Sequence, residues 1–191
     1  MNKIIGILGM QGAIAEHQEI LMQILHTKTR IVKTAKDLDC IDGLILPGGE
    51  STAIGKLLDY FSLKEILQQK IISGLPVFGT CAGLILLAKN IENQTNTHLA
   101  TMDITVKRNG YGSQLDSFST NLLIPTIDKN MPIPLVFIRA PYITKTDKDV
   151  QILATLDNKI IAARQKNMLV SSFHPELTCD LRFHQYFLSM I

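Results

Sequence analysis

Cysteine is scarce in this chain. Its 191 residues include three, Cys40, Cys81 and Cys179, an odd number at uneven positions. There is no CxxC pair and no His/Cys cluster at zinc spacing. A disulfide scaffold and a structural zinc site are therefore both poor readings. An excess of charge is lacking too. Nineteen Lys and Arg stand against seventeen Asp and Glu, a net charge of +2. That balance gives no electrostatic reason to expect nucleic acid or an anionic membrane as partner. Long hydrophobic runs are also missing. The longest, residues 75–88, contains Pro76, Gly79, Thr80 and Gly83, and is too short and too broken to span a bilayer. The first residues lack a charged segment followed by a long apolar run and a small-residue cleavage site. A reducing, cytoplasmic location is the expectation.

What the chain does have is enough apolar material for a core. Hydrophobic residues make up 46% and charged residues 19%. A domain of this size removes roughly 70% of its unfolded surface from water, so it needs no covalent or metal staple. The length suits one domain over residues 1–191. Residues 4–8 form an apolar, partly β-branched run, as in strands buried on both faces. Glycines at 9 and 12 break it, and residues 13–26 carry a helical stripe through Ile14, Ile20, Leu21, Ile24 and Leu25. Further strands are expected at 30–33, 43–46 and 77–78. Helices are expected from Thr52, with Ser51 as cap, at 63–72, and from the glycine-rich turn at 79–83 to Ala88. This alternation predicts an open α/β sheet with helices on both faces. Beyond Ala100 the texture changes to strands at 104–106, 118–124, 135–138, 150–156, 159–163 and 168–170. Asp157-Asn158 suits a hairpin turn, and Asp180 can cap a last helix at 181–190.

The strongest chemical signal is Gly79-Thr80-Cys81-Ala82-Gly83, between a short strand and an apolar helix. A nucleophile on a tight strand-to-helix turn needs small neighbours, because larger side chains would clash across the bend. A helix N-terminus beside the sulfur favours thiolate over thiol. The competing reading is a buried, inert cysteine in a packing turn. A cysteine nucleophile needs a base, and His174 in Ser171-Ser172-Phe173-His174-Pro175-Glu176 is the best of five histidines. In an extended segment, His174 and Glu176 would point to the same side, so Glu176 could orient the imidazole while its other nitrogen faces Cys81. Without a matched cysteine, His-Pro-Glu would read as an ordinary loop cap. Leu46-Pro47-Gly48-Gly49-Glu50-Ser51 lacks the ending of a phosphate loop, but such a loop exposes backbone N–H groups able to hold an oxyanion. The glycines at 6, 9 and 12 have the wrong spacing for a dinucleotide fingerprint.

Together these three elements resemble the triad (class I) glutamine amidotransferases. Within them the chain is similar to the glutaminase subunits of pyridoxal 5′-phosphate synthases. The likeness rests on Gly9-Met10-Gln11-Gly12 with Glu16-His17, Pro47-Gly48-Gly49-Glu50-Ser51-Thr52, and Gly79-Thr80-Cys81-Ala82-Gly83-Leu84. It continues through Arg108-Asn109, Gln114-Leu115-Asp116-Ser117-Phe118, Phe137-Ile138-Arg139-Ala140-Pro141 and Ser172-Phe173-His174-Pro175-Glu176-Leu177. It covers residues 4–184. Two places depart from the family pattern. Gly110-Tyr111-Gly112-Ser113 stands where a small residue, Phe, Gly and a basic residue are common, and Ala15 where a basic residue is frequent.

The resemblance implies a flavodoxin-like, mixed but mainly parallel sheet flanked by helices. It implies hydrolysis of L-glutamine to glutamate and ammonia by Cys81, His174 and Glu176. Gly49, Glu50, Ser51, Arg108, Ile138 and Arg139 would surround the substrate. A guanidinium can bind the α-carboxylate bidentately, and Glu50 suits the α-ammonium. The N–H groups of Gly49 and Ala82 would form the oxyanion hole. No metal or organic cofactor is implied. The implied partner is a synthase subunit in a large hetero-oligomer, which makes pyridoxal 5′-phosphate as a product. Gln11 and Gly12 are the candidate switch that responds to docking, with Glu16 and His17 on the docking surface. The rival readings are a γ-glutamyl hydrolase or cysteine peptidase with the same triad, and a catalytically silent binding module.

Overall fold

The computed structural model describes residues 2–110 and 117–191. The residue pattern at Tyr111-Gly112-Ser113 and the Gln114-Leu115-Asp116 segment lie outside the described residues. The first half alternates as expected: β1 (Lys3–Leu8), α1 (Ile14–Met22), β2 (Thr27–Val32), β3 (Gly43–Leu46), α2 (Ser51–Tyr60), α3 (Lys64–Ile72), β4 (Val77–Thr80) and α4 (Ala82–Leu87). Strands dominate afterwards: β5 (Ala88–Ile91), β6 (Met102–Lys107), β7 (Ser117–Leu122), β8 (Ile133–Ile138), β9 (Tyr142–Thr146), β10 (Gln151–Leu156), β11 (Lys159–Gln165) and β12 (Met168–Ser171), before α5 (Arg182–Leu188).

Among the described residues one sheet has the order β2-β1-β3-β4-β12-β11-β9-β6-β5, with β10 paired to β11. The segment from β2 to β12 is parallel throughout. Its order matches the flavodoxin-like 2-1-3-4-5 arrangement, with β12 in fifth place. The antiparallel strands β11, β9 and β6 extend it, and β7 and β8 form a separate hairpin.

Burial on both faces explains the continuous apolar runs. Successive residues of a strand point to opposite faces. Leu44, Leu46, Val77 and Val170 accordingly join a cluster with Ile54, Leu58, Leu67 and Leu84 of α2, α3 and α4. Ile45, Phe78 and Leu169 join the opposite cluster, with Ile20 and Leu21 of α1 and Phe183 and Phe187 of α5. Phe183 lies 5.0 Å from Phe173 and 5.6 Å from Phe78, ring centre to ring centre. Phe183→Leu should therefore lower stability by about 1–2 kcal/mol through lost packing. A urea midpoint equal to that of the unmodified chain would contradict this.

Two expectations need correction, and two strands were not expected. α1 ends at Met22 rather than at 26, because β2 begins at Thr27 and the amide of Lys3 already donates to the His26 carbonyl. Glu50, not Ser51, caps α2: its carboxylate reaches the amides of both Thr52 and Ala53. β5 follows α4 directly and was not expected: the apolar helix expected as far as Ala88 stops at Leu87. β9 was not expected at all, since its short Tyr-Ile-Thr-Lys-Thr pattern is half polar. The hairpin turn at Asp157-Asn158 has positive φ at both residues, the type I′ geometry that Asp and Asn tolerate. Asp180 accepts from the Arg182 amide at the start of α5.

Candidate active site

Open α/β sheets bind ligands outside the carboxyl ends of their parallel strands. Four such ends converge here. β1 leads into the turn at 9–12, β3 into the Pro-Gly-Gly loop, β4 into Cys81, and β12 towards His174. β4 and β12 are neighbours in parallel register, with Thr80 opposite Ser171. The amide of Cys81 extends this ladder by donating to the Ser171 carbonyl at 2.8 Å.

Cys81 sits at φ 47° and ψ −97°, a strained conformation for a residue with a Cβ. Its glycine neighbours are there for space. A Cβ on Gly79 would lie 2.6 Å from the Gly83 backbone, and one on Gly83 would lie 2.1 Å from the Leu46 carbonyl oxygen. The turn is thus closed tightly enough that only the cysteine projects a functional side chain.

His174 is fixed by its own amide, which donates to the Val136 carbonyl, and by its ring. Nδ1 lies 2.7 Å from Glu176 Oε1. The route differs from the extended segment expected. Residues Pro175–Leu177 form a single turn of 3-10 helix, for which the fixed φ of proline is suited at the first position. Glu176 folds back beneath the ring instead of pointing alongside it.

Burial alone would discharge the His174 imidazolium. Hydrogen bonding to Cys81 and to Glu176, with their charges, outweighs it and the pKa is pushed up to about 10. Burial likewise favours neutral Glu176, but His17 and then His174 hold its carboxyl below the usual range. The pair is therefore an imidazolium and a carboxylate at neutral pH. An imidazolium of this kind can hold the proton taken from a neighbouring thiol and pass it to a leaving group, after which the neutral ring can act as a base.

In front of Cys81 lies a cavity of about 550 Å³. Its walls include Gln11, Gly12, Gly49, Glu50, Ser51, Cys81, Ala82, Arg108, Ile138, Arg139 and His174. The structure so brings together every candidate residue except Glu176, which lies behind the His174 ring. The Arg108 guanidinium donates to Glu50 Oε1 at 3.0 Å and to Thr52 Oγ1 at 3.2 Å. Asn109 and Arg139, which also line the cavity, both have positive φ. Among the described residues, no group of three or more His, Cys, Asp or Glu could hold a metal ion. No helix there is long and apolar enough to cross a membrane.

Sequence reasoning missed what stands behind Glu176. His17, expected on a docking surface, is fully buried, and so is His184. The signal was present: position 17 is in helical phase with Ile14, Ile20 and Leu21. Glu16, next to it, does line the cavity.

Comparison with known proteins gives the family. A protein 54% identical over 187 residues, covering 98% of this chain and 97% of its own, is the pyridoxal 5′-phosphate synthase subunit PdxT of Carboxydothermus hydrogenoformans. The protein of that name from Ruminiclostridium cellulolyticum is 53% identical, over 99% of this chain and all of its own. A crystal structure of a glutamine amidotransferase superimposes with a TM-score of 0.91 at 38% identity, covering 97% of each chain. With residues 7–191 matching its family model, the chain belongs to the SNO glutamine amidotransferase family.

Proposed function

We propose that the chain hydrolyses L-glutamine to glutamate and ammonia, and that the ammonia passes to a synthase subunit that builds pyridoxal 5′-phosphate. The observation that carries this reading is the delivery of Cys81 and His174 by two register-matched strands, with Glu176 2.7 Å behind the imidazole. The names of its 53–54% identical relatives support the choice of pathway.

Cys81 attacks the side-chain amide carbon as the thiolate, its proton already held by the His174 imidazolium. The N–H groups of Gly49 and Ala82 receive the oxyanion, each such donor being worth about 3 kcal/mol. As the C–N bond breaks, His174 protonates the nitrogen, which leaves as ammonia. His174 then takes a proton from water, whose oxygen attacks the thioester and frees glutamate and Cys81. Glu176 holds the ring through Nδ1 throughout. Arg108 and Arg139 suit the α-carboxylate, Glu50 the α-ammonium, and Ser51 and Ile138 complete the wall. Free ammonia would be protonated in water, which is a physical reason for a docked partner. The free thiols of Cys40, Cys81 and Cys179 fit a cytoplasmic home.

Steady-state ammonia release from glutamine, with and without the synthase subunit, tests the reading. Release from γ-glutamyl peptides in place of glutamine would favour the hydrolase alternative, and no release from either would favour a silent binding module.

Docking acts through the turn at 9–12 in this proposal. The Ala13 amide donates to the Gly48 carbonyl at 3.0 Å, and Gln11 Oε1 accepts from the Glu50 amide at 2.8 Å. These bonds tie the turn to the peptides on either side of Gly49. Gly12 has φ +113°, and a Cβ there would lie 1.8 Å from the Gly48 carbonyl oxygen. Gly12→Val should displace that loop and lower partner-stimulated turnover ~100-fold, the scale of one oxyanion donor, with a far smaller change in glutamine binding. Equal rates of the unmodified chain with and without its partner would refute the switch.

A further inference from the structure

Glu176 has two carboxylate oxygens, and the triad uses one. Oε1 meets His174, while Oε2 is buried with no hydrogen-bond partner among the described residues. A buried carboxylate oxygen left this way is costly. A ring N–H position faces it from α1: His17 Nε2 lies 3.6 Å from Oε2 and 3.3 Å from Thr80 Oγ1. On the far side of the same ring, His17 Nδ1 lies 3.0 Å from His184 Nε2.

The tautomers of this row follow from its ends. Burial pushes His17 below the ordinary histidine value and His184 well below it, so both rings are neutral at neutral pH. Only one of the two facing nitrogens, His17 Nδ1 or His184 Nε2, can carry the shared proton. Were it on His17 Nδ1, His17 Nε2 would turn a lone pair towards the Glu176 carboxylate. His184 would then carry its own proton on Nδ1, which has no partner. An orphaned N–H and facing lone pairs are both unfavourable. With the proton on His184 Nε2, His17 carries its own on Nε2, aimed at Thr80 and Glu176, and the unpartnered His184 Nδ1 is merely a bare imine nitrogen. The second arrangement is the one with fewer unmet donors.

We propose that His17, fixed in its Nε2–H tautomer by His184, is a positioning residue that holds the second oxygen of Glu176 and so orients His174. This rests on the glutaminase reading, in which Glu176 is the orienter. It makes the buried face of α1 part of the catalytic apparatus, one turn of helix from the segment at 9–12. The ionisable groups facing Glu176 are His174 on its own segment, His17 with Glu16 beside it on α1, and Cys81 across the His174 ring; His184 on α5 acts through His17.

The test compares His17→Phe and His17→Met, which remove the N–H, with His17→Gln, which restores a donor on a chain of similar reach. The Met variant serves should the Phe ring not be accommodated. Two quantities are measured: kcat and KM for glutamine with the synthase subunit present, and the rate at which iodoacetamide alkylates Cys81 in the full chain across neutral pH. Loss of the donor should reduce kcat ~10-fold, the low end of the scale for a hydrogen bond to a charged group because the 3.6 Å contact is longer than such a bond, with KM little changed. Cys81 alkylation should slow and its pH profile move upward, because a less well held carboxylate supports the imidazolium–thiolate pair less. His17→Gln should recover most of both. In a Glu176→Gln background the same His17 changes should cost almost nothing more, since residues acting through one another are not additive. An equal loss in both backgrounds, or no recovery with Gln, would overturn the proposal. Absence of glutamine turnover by the unmodified complex would sink the glutaminase reading instead, and the alkylation rates would still decide the role of His17.

Discussion

Cys81→Ala eliminates ammonia release from glutamine, a loss of ~10⁴-fold or more, and leaves the chain folded. The size follows from removing the atom that forms the covalent bond: what survives is binding and the oxyanion donors alone. The fold survives because alanine keeps the Cβ and occupies the same φ of 47° with the same glycine clearances on either side. Cys81→Ser should fare little better than alanine, since a hydroxyl gives up its proton far less readily than a thiol. Ammonia assay and circular dichroism on the same preparations check both halves. Substantial turnover by Cys81→Ala would show that the nucleophile lies elsewhere. A glutamine-like electrophile adds an independent measure. Cys40 and Cys179 are exposed and Cys81 is buried, so accessibility alone favours labelling the first two. Preferential modification of Cys81 therefore reports recognition and activation, and equal labelling of all three would count against both.

The second large effect separates His174 from Glu176. His174→Gln removes both the base and the acid, and should cost nearly as much as losing Cys81. Glu176→Gln leaves the imidazole in place but uncharges its support. An amide NH₂ can then face Nδ1, which forces the ring proton onto the nitrogen that should accept from Cys81. Removing the neighbouring carboxylate also lowers the His174 pKa from about 10, so the imidazolium needed to protonate the leaving nitrogen becomes scarcer. A loss of ~10²–10⁴-fold in kcat with measurable residual turnover is expected. An unchanged kcat for Glu176→Gln would show that the carboxylate does not orient the ring.

Much of this arrangement was legible before any coordinates. Strands buried on both faces leave continuous apolar runs, and that pattern identified β1, β3 and β12. Glycines packed against backbone leave a spacing, and that identified the turn around Cys81. What escaped depends on contacts between distant segments. β9 became a strand because β6 and β11 flank it, not because Tyr142–Thr146 is strongly apolar. Glu50 displaced Ser51 as the cap because a longer side chain can curl over two amides, a matter of reach that composition does not record. His17 was misplaced because its sequence neighbours, Gly12 and Glu16, do lie at the cavity. A helix turns by about 100° per residue, so adjacent positions serve different surfaces.

The pairing of Thr80 with Ser171 has a further consequence. Nucleophile and base come from segments far apart in sequence, yet one ladder sets the distance between them. A slip of two residues would part them by about 7 Å, so no partly formed version of that register is active. The ladder is also in the middle of the sheet, flanked by β3 and β11. Amide deuterium exchange at Cys81, whose N–H closes the ladder, should therefore require opening of the whole molecule rather than of a surface loop. Catalytic competence then melts with the protein as a unit. Loss of ammonia release on heating should therefore coincide with loss of the fold.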